Sequence, residues 1–228
     1  MGYGNLYVTP DALGPKVVQN IDITRHILTY LPEVLDKDTR PVSAISPGVL
    51  GTTGIETIEI LKGIIDNIHP KLLIVIDSLC SRSIDRISST VQISDTGIVP
   101  GAGVGNTRKE LSIETLGIPV VAIGVPTVVE AATIAADSLD LFAEKFENEC
   151  RNENENKNKN KNENENENEK NKKTNVTKLK QIKEEDKYTI IKEIFSKKGY
   201  NFIVTPKEID DLIDNMSNII ARGINLSI

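Results

Sequence analysis

Two short, continuous apolar runs constrain the fold of this chain most. They occupy residues 72–76 and 119–125. Runs of this length without polar alternation are typical of strands that are buried on both faces of a parallel sheet. Helical patterns surround them at 15–31, 54–68 and 127–146. The alternation of helices and buried strands predicts an α/β fold, with a mostly parallel sheet and helices on both faces.

The composition divides the chain into three segments. Residues 1–146 are predicted to form the α/β core. Residues 147–186 include a stretch, 152–173, that consists almost entirely of Asn, Glu and Lys. Because this stretch has no apolar side chain to bury, residues 147–186 are predicted to form a disordered insertion. Order is expected to return after it, and residues 187–228 are predicted to complete the same domain.

Charge and cysteine content exclude several classes of protein. The net charge of -6 argues against a nucleic-acid binder that depends on counterion release. Cys80 and Cys150 have no CxxC partner, which excludes zinc ribbons and thioredoxin motifs. No signal-peptide pattern and no bilayer-length apolar run occur in the sequence. We therefore expect a cytoplasmic protein with no direct nucleic-acid or membrane partner.

Two aspartates are the main candidates for chemistry. Asp77 follows the first apolar run, and Asp11 lies in the segment Val-Thr-Pro-Asp-Ala-Leu-Gly-Pro at 8–15. Open α/β sheets place their ligands at the carboxyl ends of strands, so both carboxylates could serve an acid/base pair or a metal site. Each aspartate could equally cap a helix, and spacing alone does not decide whether the two meet.

A glycine-rich loop offers a different function. Glycines alternate at Gly101, Gly103 and Gly105, followed by Asn106, and Arg108 is nearby. The loop matches neither of the standard phosphate-binding glycine motifs. Glycines nonetheless permit close approach of a ligand to the main chain. A phosphate-binding or nucleotide-binding α/β protein therefore stays open as an alternative.

Several segments together resemble the spore germination protease family. The resemblance covers nearly the whole chain except the Asn/Glu/Lys insertion. Its motifs stand at 4–5 with 8–15, 47–57, 76–82, 95–106, 124–129 and 203–210.

This resemblance implies an endopeptidase of the spore core that degrades small acid-soluble spore proteins at germination. It also implies a zymogen, a homotetramer, and an α/β fold similar to that of the hydrogenase maturation endopeptidases, which is phosphorylase/hydrolase-like. The two essential aspartates of the family fall on Asp11 and Asp77. No cofactor is certain from the resemblance; a divalent metal held by these aspartates is possible.

The chain departs from the family pattern at its start. Family members carry a further region before the Gly-Asn segment at 4–5, including an apolar strand that leads into it. From this departure we expect the strand to be missing or reduced, and Asp11 to lose its anchor at the sheet. An inactive truncated remnant, or a fragment that associates with intact subunits, is the corresponding alternative to an active enzyme.

Overall fold

The computed structural model describes residues 1–102, 108–157, 183–196 and 202–227. The chain forms two compact units, one of Met1–Val129 with Thr205–Ile228 and the other of Glu130–Val204. Among the described helices, none combines the length and apolar character that crossing a membrane requires.

Helices and strands alternate along much of the chain. The helices are α1 Leu13–Gln19, α2 Arg25–Tyr30, α3 Leu50–Thr53, α4 Thr57–Ile68, α5 Ile113–Leu116, α6 Ala131–Lys157, α7 Glu184–Ser196 and α8 Ile209–Asn225. The strands are β1 Leu73–Ser81, β2 Gln92–Ser94, β3 Val120–Glu130 and β4 Ile203–Val204. Short 3-10 turns occur at Thr9–Asp11, Pro32–Val34 and Ile84–Arg86.

The sheet of the first unit is mixed. β1 and β3 are parallel, with Leu73 opposite Val120. β2 lies on the other side of β3 and is antiparallel to it. The link from β1 to β2 contains one 3-10 turn and no crossover helix, so the chain reverses direction. The prediction of an α/β sheet is confirmed, whereas the prediction that it is mostly parallel holds for β1 and β3 and not for β2.

Two apolar clusters cover the two faces of this sheet, as the buried runs predict. Neighbouring residues of β1, Val75 and Ile76, belong to different clusters because successive side chains point to opposite faces. The Val75 cluster includes Ile58, Leu61 and Ile65 of α4 and Leu116 of α5. The Ile76 cluster includes Leu13 and Val17 of α1 and Ile209 and Ile213 of α8. Helices therefore pack on both faces.

Two segments of the first unit differ from the sequence predictions. The pattern at 15–31 forms two helices, because α1 ends at Asn20, whose N–H turns back to Val17 O at 3.0 Å. The sequence also predicts a short strand at 42–46, where the structure has none. The carbonyl groups of these residues bond instead to isolated partners, such as the N–H of Gly2, which donates to Ile45 O at 2.9 Å.

The predicted helix at 127–146 begins later than its capping pattern indicates. Residues 127–130 continue β3, and α6 starts at Ala131. Thr127 and Val129 are buried and β-branched, which favours a strand over a helix start. The sequence predicts Thr205 as the N-cap of the last helix, and this prediction is wrong. The Thr205 hydroxyl donates to Thr127 O at 3.0 Å, and α8 starts at Ile209.

The second unit contains two packed helices. Ala132 and Ala136 of α6 form an apolar cluster with Ile191 of α7. Buried Glu130 accepts hydrogen bonds from the Tyr188 hydroxyl and from Lys192 Nζ. The helix α6 runs to Lys157, past the predicted start of the disordered insertion. Residues 158–182 of that prediction lie outside the described residues, and its last residues, Glu184–Asp186, belong to α7.

Candidate active site

Asp77 lies inside β1 and not at its end. The strand continues to Ser81, with a register shift against β3 between Leu79 and Cys80. Irregularities of this kind are common next to active sites. Asp77 is 4% exposed, so its carboxyl group has little contact with water. The prediction that Asp77 ends the strand is wrong, because strand pairing with β3 continues to Ser81, beyond the apolar run of the sequence.

Asp11 is the last residue of a 3-10 turn that leads into α1. Its Oδ2 accepts a hydrogen bond from the main-chain N–H of Asn5 at 2.7 Å. The turn is held from the sheet side by the Thr127 hydroxyl, which donates to Pro10 O at 2.7 Å. Thr127 is fully buried in β3, so the position of the Asp11 turn is coupled to the sheet.

The first three residues of the chain anchor this turn to β1. The Tyr3 N–H donates to Ile76 O at 2.8 Å, and the Ile76 N–H donates to Met1 O at 2.9 Å. Gly2 forms a parallel bridge with Ile76. Residues 1–3 therefore pair in parallel with β1, directly before the Gly-Asn segment at 4–5. The prediction that Asp11 loses its anchor is wrong, because this pairing ends next to the Gly-Asn segment.

Glycine makes the close approach possible. A Cβ placed on Gly14 of α1 would lie 2.3 Å from Tyr3 O and 2.6 Å from Ile76 O, both main-chain atoms. Real carbon atoms do not approach carbonyl oxygens so closely. Gly14 thus lets α1, residues 1–3 and β1 meet beside the two aspartates.

Burial and mutual charge set the protonation of the pair. Burial raises the pKa of Asp77 to about 8, and the negative charge of Asp11 adds to the rise. Burial also raises the pKa of Asp11. The Asn5 N–H lowers this pKa, because its hydrogen bond stabilises the carboxylate. Two neighbouring carboxyls whose charges interact in this way titrate jointly, and Asp77 is the one that keeps its proton up to about pH 8.

Tyr3 belongs to the same site and was missed by sequence reasoning. Its side chain is buried, and burial followed by the charges of Asp77 and Asp11 raises the pKa of its phenol. The positive charge of Arg108 lowers the pKa of the Tyr3 phenol, so Arg108 also lies close enough to influence the site. A tyrosine between two glycines carries no recognisable sequence signal. The structure thus brings Asp11 and Asp77 into one electrostatic neighbourhood, as the hypothesis of a functional pair required.

The described residues do not form a complete metal site. No group of three or more His, Cys, Asp or Glu side chains occurs within the part of the chain that the structure describes. Catalytic zinc sites use three protein ligands. The two carboxylates do not make such a set, and we derive no step through a metal.

The sequence also leaves open a phosphate-binding function for the glycine-rich loop. Three residues of that loop, Gly103, Gly105 and Asn106, lie outside the described residues.

The comparisons with known proteins agree on one family. The sequence model of a family described as germination protease matches residues 1–228. Curated germination proteases are similar to this chain: that of Caldanaerobacter subterraneus subsp. tengcongensis is 48% identical over 228 residues, that of Bacillus cereus 47% over 240, and that of Bacillus subtilis 44% over 239. These alignments cover 100% of this chain and 64%, 65% and 65% of the relatives, so the chain spans about two thirds of their length.

Proposed function

The chain belongs to the germination protease family, and on that premise we propose that it is an endopeptidase whose Asp11 and Asp77 hydrolyse peptide bonds. The observation that carries the proposal is the burial of Asp77, 4% exposed, beside a second carboxyl. A carboxylic acid that keeps its proton at neutral pH can act as a general acid. Its neighbour, partly exposed and held by the Asn5 N–H, is the matching base.

The two carboxyls divide the proton transfers between them. Asp11, as the carboxylate, accepts a proton from water while the water oxygen bonds to the peptide carbonyl carbon. Asp77, as the acid, donates its proton to the amide nitrogen as the carbon–nitrogen bond breaks. The products are a carboxyl group and an amine, and transfer of the proton from Asp11 to Asp77 restores the pair.

The substrates and the assembly follow from the family premise. We infer that the substrates are small acid-soluble spore proteins, that cleavage takes place in the spore core at germination, and that the enzyme is a zymogen and a homotetramer. We also infer a fold shared with the hydrogenase maturation endopeptidases, with residues 147–186 as a peripheral insertion between 1–146 and 187–228.

Cleavage of a purified small acid-soluble spore protein tests the proposal. We expect Asp11→Asn and Asp77→Asn each to lower kcat by at least about 1,000-fold, because each removes one of the two proton transfers. Asp66→Asn, an exposed carboxylate on α4, serves as the matched control and should cleave as the wild type does. Cleavage retained by either site variant contradicts the pair.

A further inference from the structure

The turn before Asp11 contains an asparagine, Asn5, that makes one hydrogen bond through its main chain and another through its side chain. The main-chain N–H of Asn5 donates to Asp11 Oδ2 at 2.7 Å. The side-chain Oδ1 of the same residue accepts the Tyr7 N–H at 3.0 Å. An Asn side chain that bonds the N–H two residues on closes an Asx turn, which fixes the main chain locally. One residue therefore holds the carboxylate with its main chain and the turn with its side chain.

Two further main-chain bonds continue this turn to Asp11. The Val8 N–H donates to Asn5 O at 3.1 Å, and the Asp11 N–H donates to Val8 O at 2.8 Å. These bonds fold residues 5–11 into a compact turn, in which the Asp11 carboxylate lies within hydrogen-bonding distance of the Asn5 N–H. Gly4 fixes the entry to the turn: its φ is +125°, and a Cβ there would lie 2.0 Å from Asp11 O.

The carboxylate contact gives the two aspartates different roles. A hydrogen bond to an ionised carboxylate favours the charged form. Asp77 accepts a main-chain bond from Ser78, yet it is almost fully buried, and burial favours its neutral form. Without the Asn5 contact, both carboxyls would be desolvated acids, and the shared proton would be divided more evenly between them.

On the premise of the proposed function, we propose that the Asn5 side chain is a positioning residue of the reaction: it closes the turn that holds its own N–H on Asp11, and so keeps Asp11 as the carboxylate that takes the proton from water. The side chain itself touches no reacting atom. It acts through the Asp11 carboxylate, so we expect its loss to change kcat rather than KM.

Three variants of the chain test this role. Asn5→Ala removes the turn acceptor, whereas Asn5→Ser keeps a side-chain oxygen that can bond the N–H two residues on. Asn67→Ala is the matched control, since Asn67 is an exposed helix residue whose amide bonds Gly63 O. The pKa of the Asp11 carboxyl is measured directly by NMR titration of its side-chain carbon. The pH profiles of kcat and KM are measured on a small acid-soluble spore protein.

We expect Asn5→Ala to raise the pKa of Asp11 by about one unit, which corresponds to about tenfold in the ionised fraction below the pKa. The acid limb of the kcat profile should move by the same amount, so that kcat on this limb falls by up to about tenfold, and KM should stay constant. Asn5→Ser should restore most of both effects, and Asn67→Ala should show neither.

The two readouts separate this inference from the function it rests on. A pKa of Asp11 that is equal in the wild type and Asn5→Ala overturns the positioning role, whatever the activity. A fall in kcat that Asn5→Ser does not restore overturns it as well. If instead the pKa moves as expected and Asp11→Asn still cleaves, the positioning of the carboxylate stands and the catalytic pair is wrong. If Asn5→Ala does not fold, the pKa of Asp11 in Asn5→Ser decides: a wild-type value supports the role, and a raised value refutes it.

Discussion

Replacing Asp77 by Asn is expected to stabilise the protein at neutral and alkaline pH while it abolishes cleavage. Burial and Asp11 raise the pKa of Asp77 from its ordinary value of 3.8 to about 8. The folded state therefore keeps a proton on Asp77 that the unfolded chain releases above pH 4. Stability due to this proton is complete below pH 4 and is lost as the pH rises toward 8. Asn has the same shape without the ionisable group.

The size of the effect follows from the two pKa values. They differ by about four units, and each unit corresponds to about 1.4 kcal/mol. The upper limit of the gain in free energy of unfolding is therefore about 6 kcal/mol above pH 8. The gain should vanish near pH 4 and grow by up to about 1.4 kcal/mol for each pH unit between these limits.

Urea unfolding of the wild type and Asp77→Asn at pH values from 4 to 9 measures this difference. Asp66→Asn, which changes an exposed carboxylate on α4, is the control and should follow the wild type throughout. Parallel curves for the wild type and Asp77→Asn would refute the reasoning, because they would mean that Asp77 ionises alike in the folded and unfolded chains. A variant that is less stable above pH 8 would refute it too.

Three further perturbations test the architecture of the site. Gly14→Ala places a Cβ 2.3 Å from Tyr3 O, so we expect it to lower the free energy of unfolding by about 3 kcal/mol; Gly63→Ala, with no atom within 4 Å, should stabilise α4 by about 0.5–1 kcal/mol in the same urea assay. Thr127→Val leaves Pro10 O without its hydroxyl donor and should cost about 1–2 kcal/mol and lower kcat; equal kcat would show that this bond does not position Asp11. Thorough chelation of divalent metals should leave cleavage undiminished, whereas activity lost on chelation and restored by one added metal would contradict an unassisted carboxyl pair.

The sequence predicts those parts of the fold that local patterns determine. The apolar runs and the pattern of α4 give two buried strands and one helix close to where the structure has them. The end of β3 shows where local patterns fail. Residues 126–130 carry a capping pattern that favours a helix start, yet Thr127 and Val129 are buried in the sheet and continue the strand. Burial against distant segments outweighs the local preference, and such segments are not visible in a short window.

The candidate site likewise has a part that the sequence predicts and a part that it does not, and the difference has a physical cause. Asp11 and Asp77 can be identified because their chemistry resides in their own side chains. The features that make the two aspartates differ lie outside their own side chains. Asp11 is held by a main-chain N–H, which any residue but proline supplies, and Asp77 is made an acid by burial, which belongs to its surroundings. Sequence reasoning could therefore propose the two carboxyls, whereas the proposed roles of Asp77 as acid and Asp11 as base rest on the position of each carboxyl in the fold.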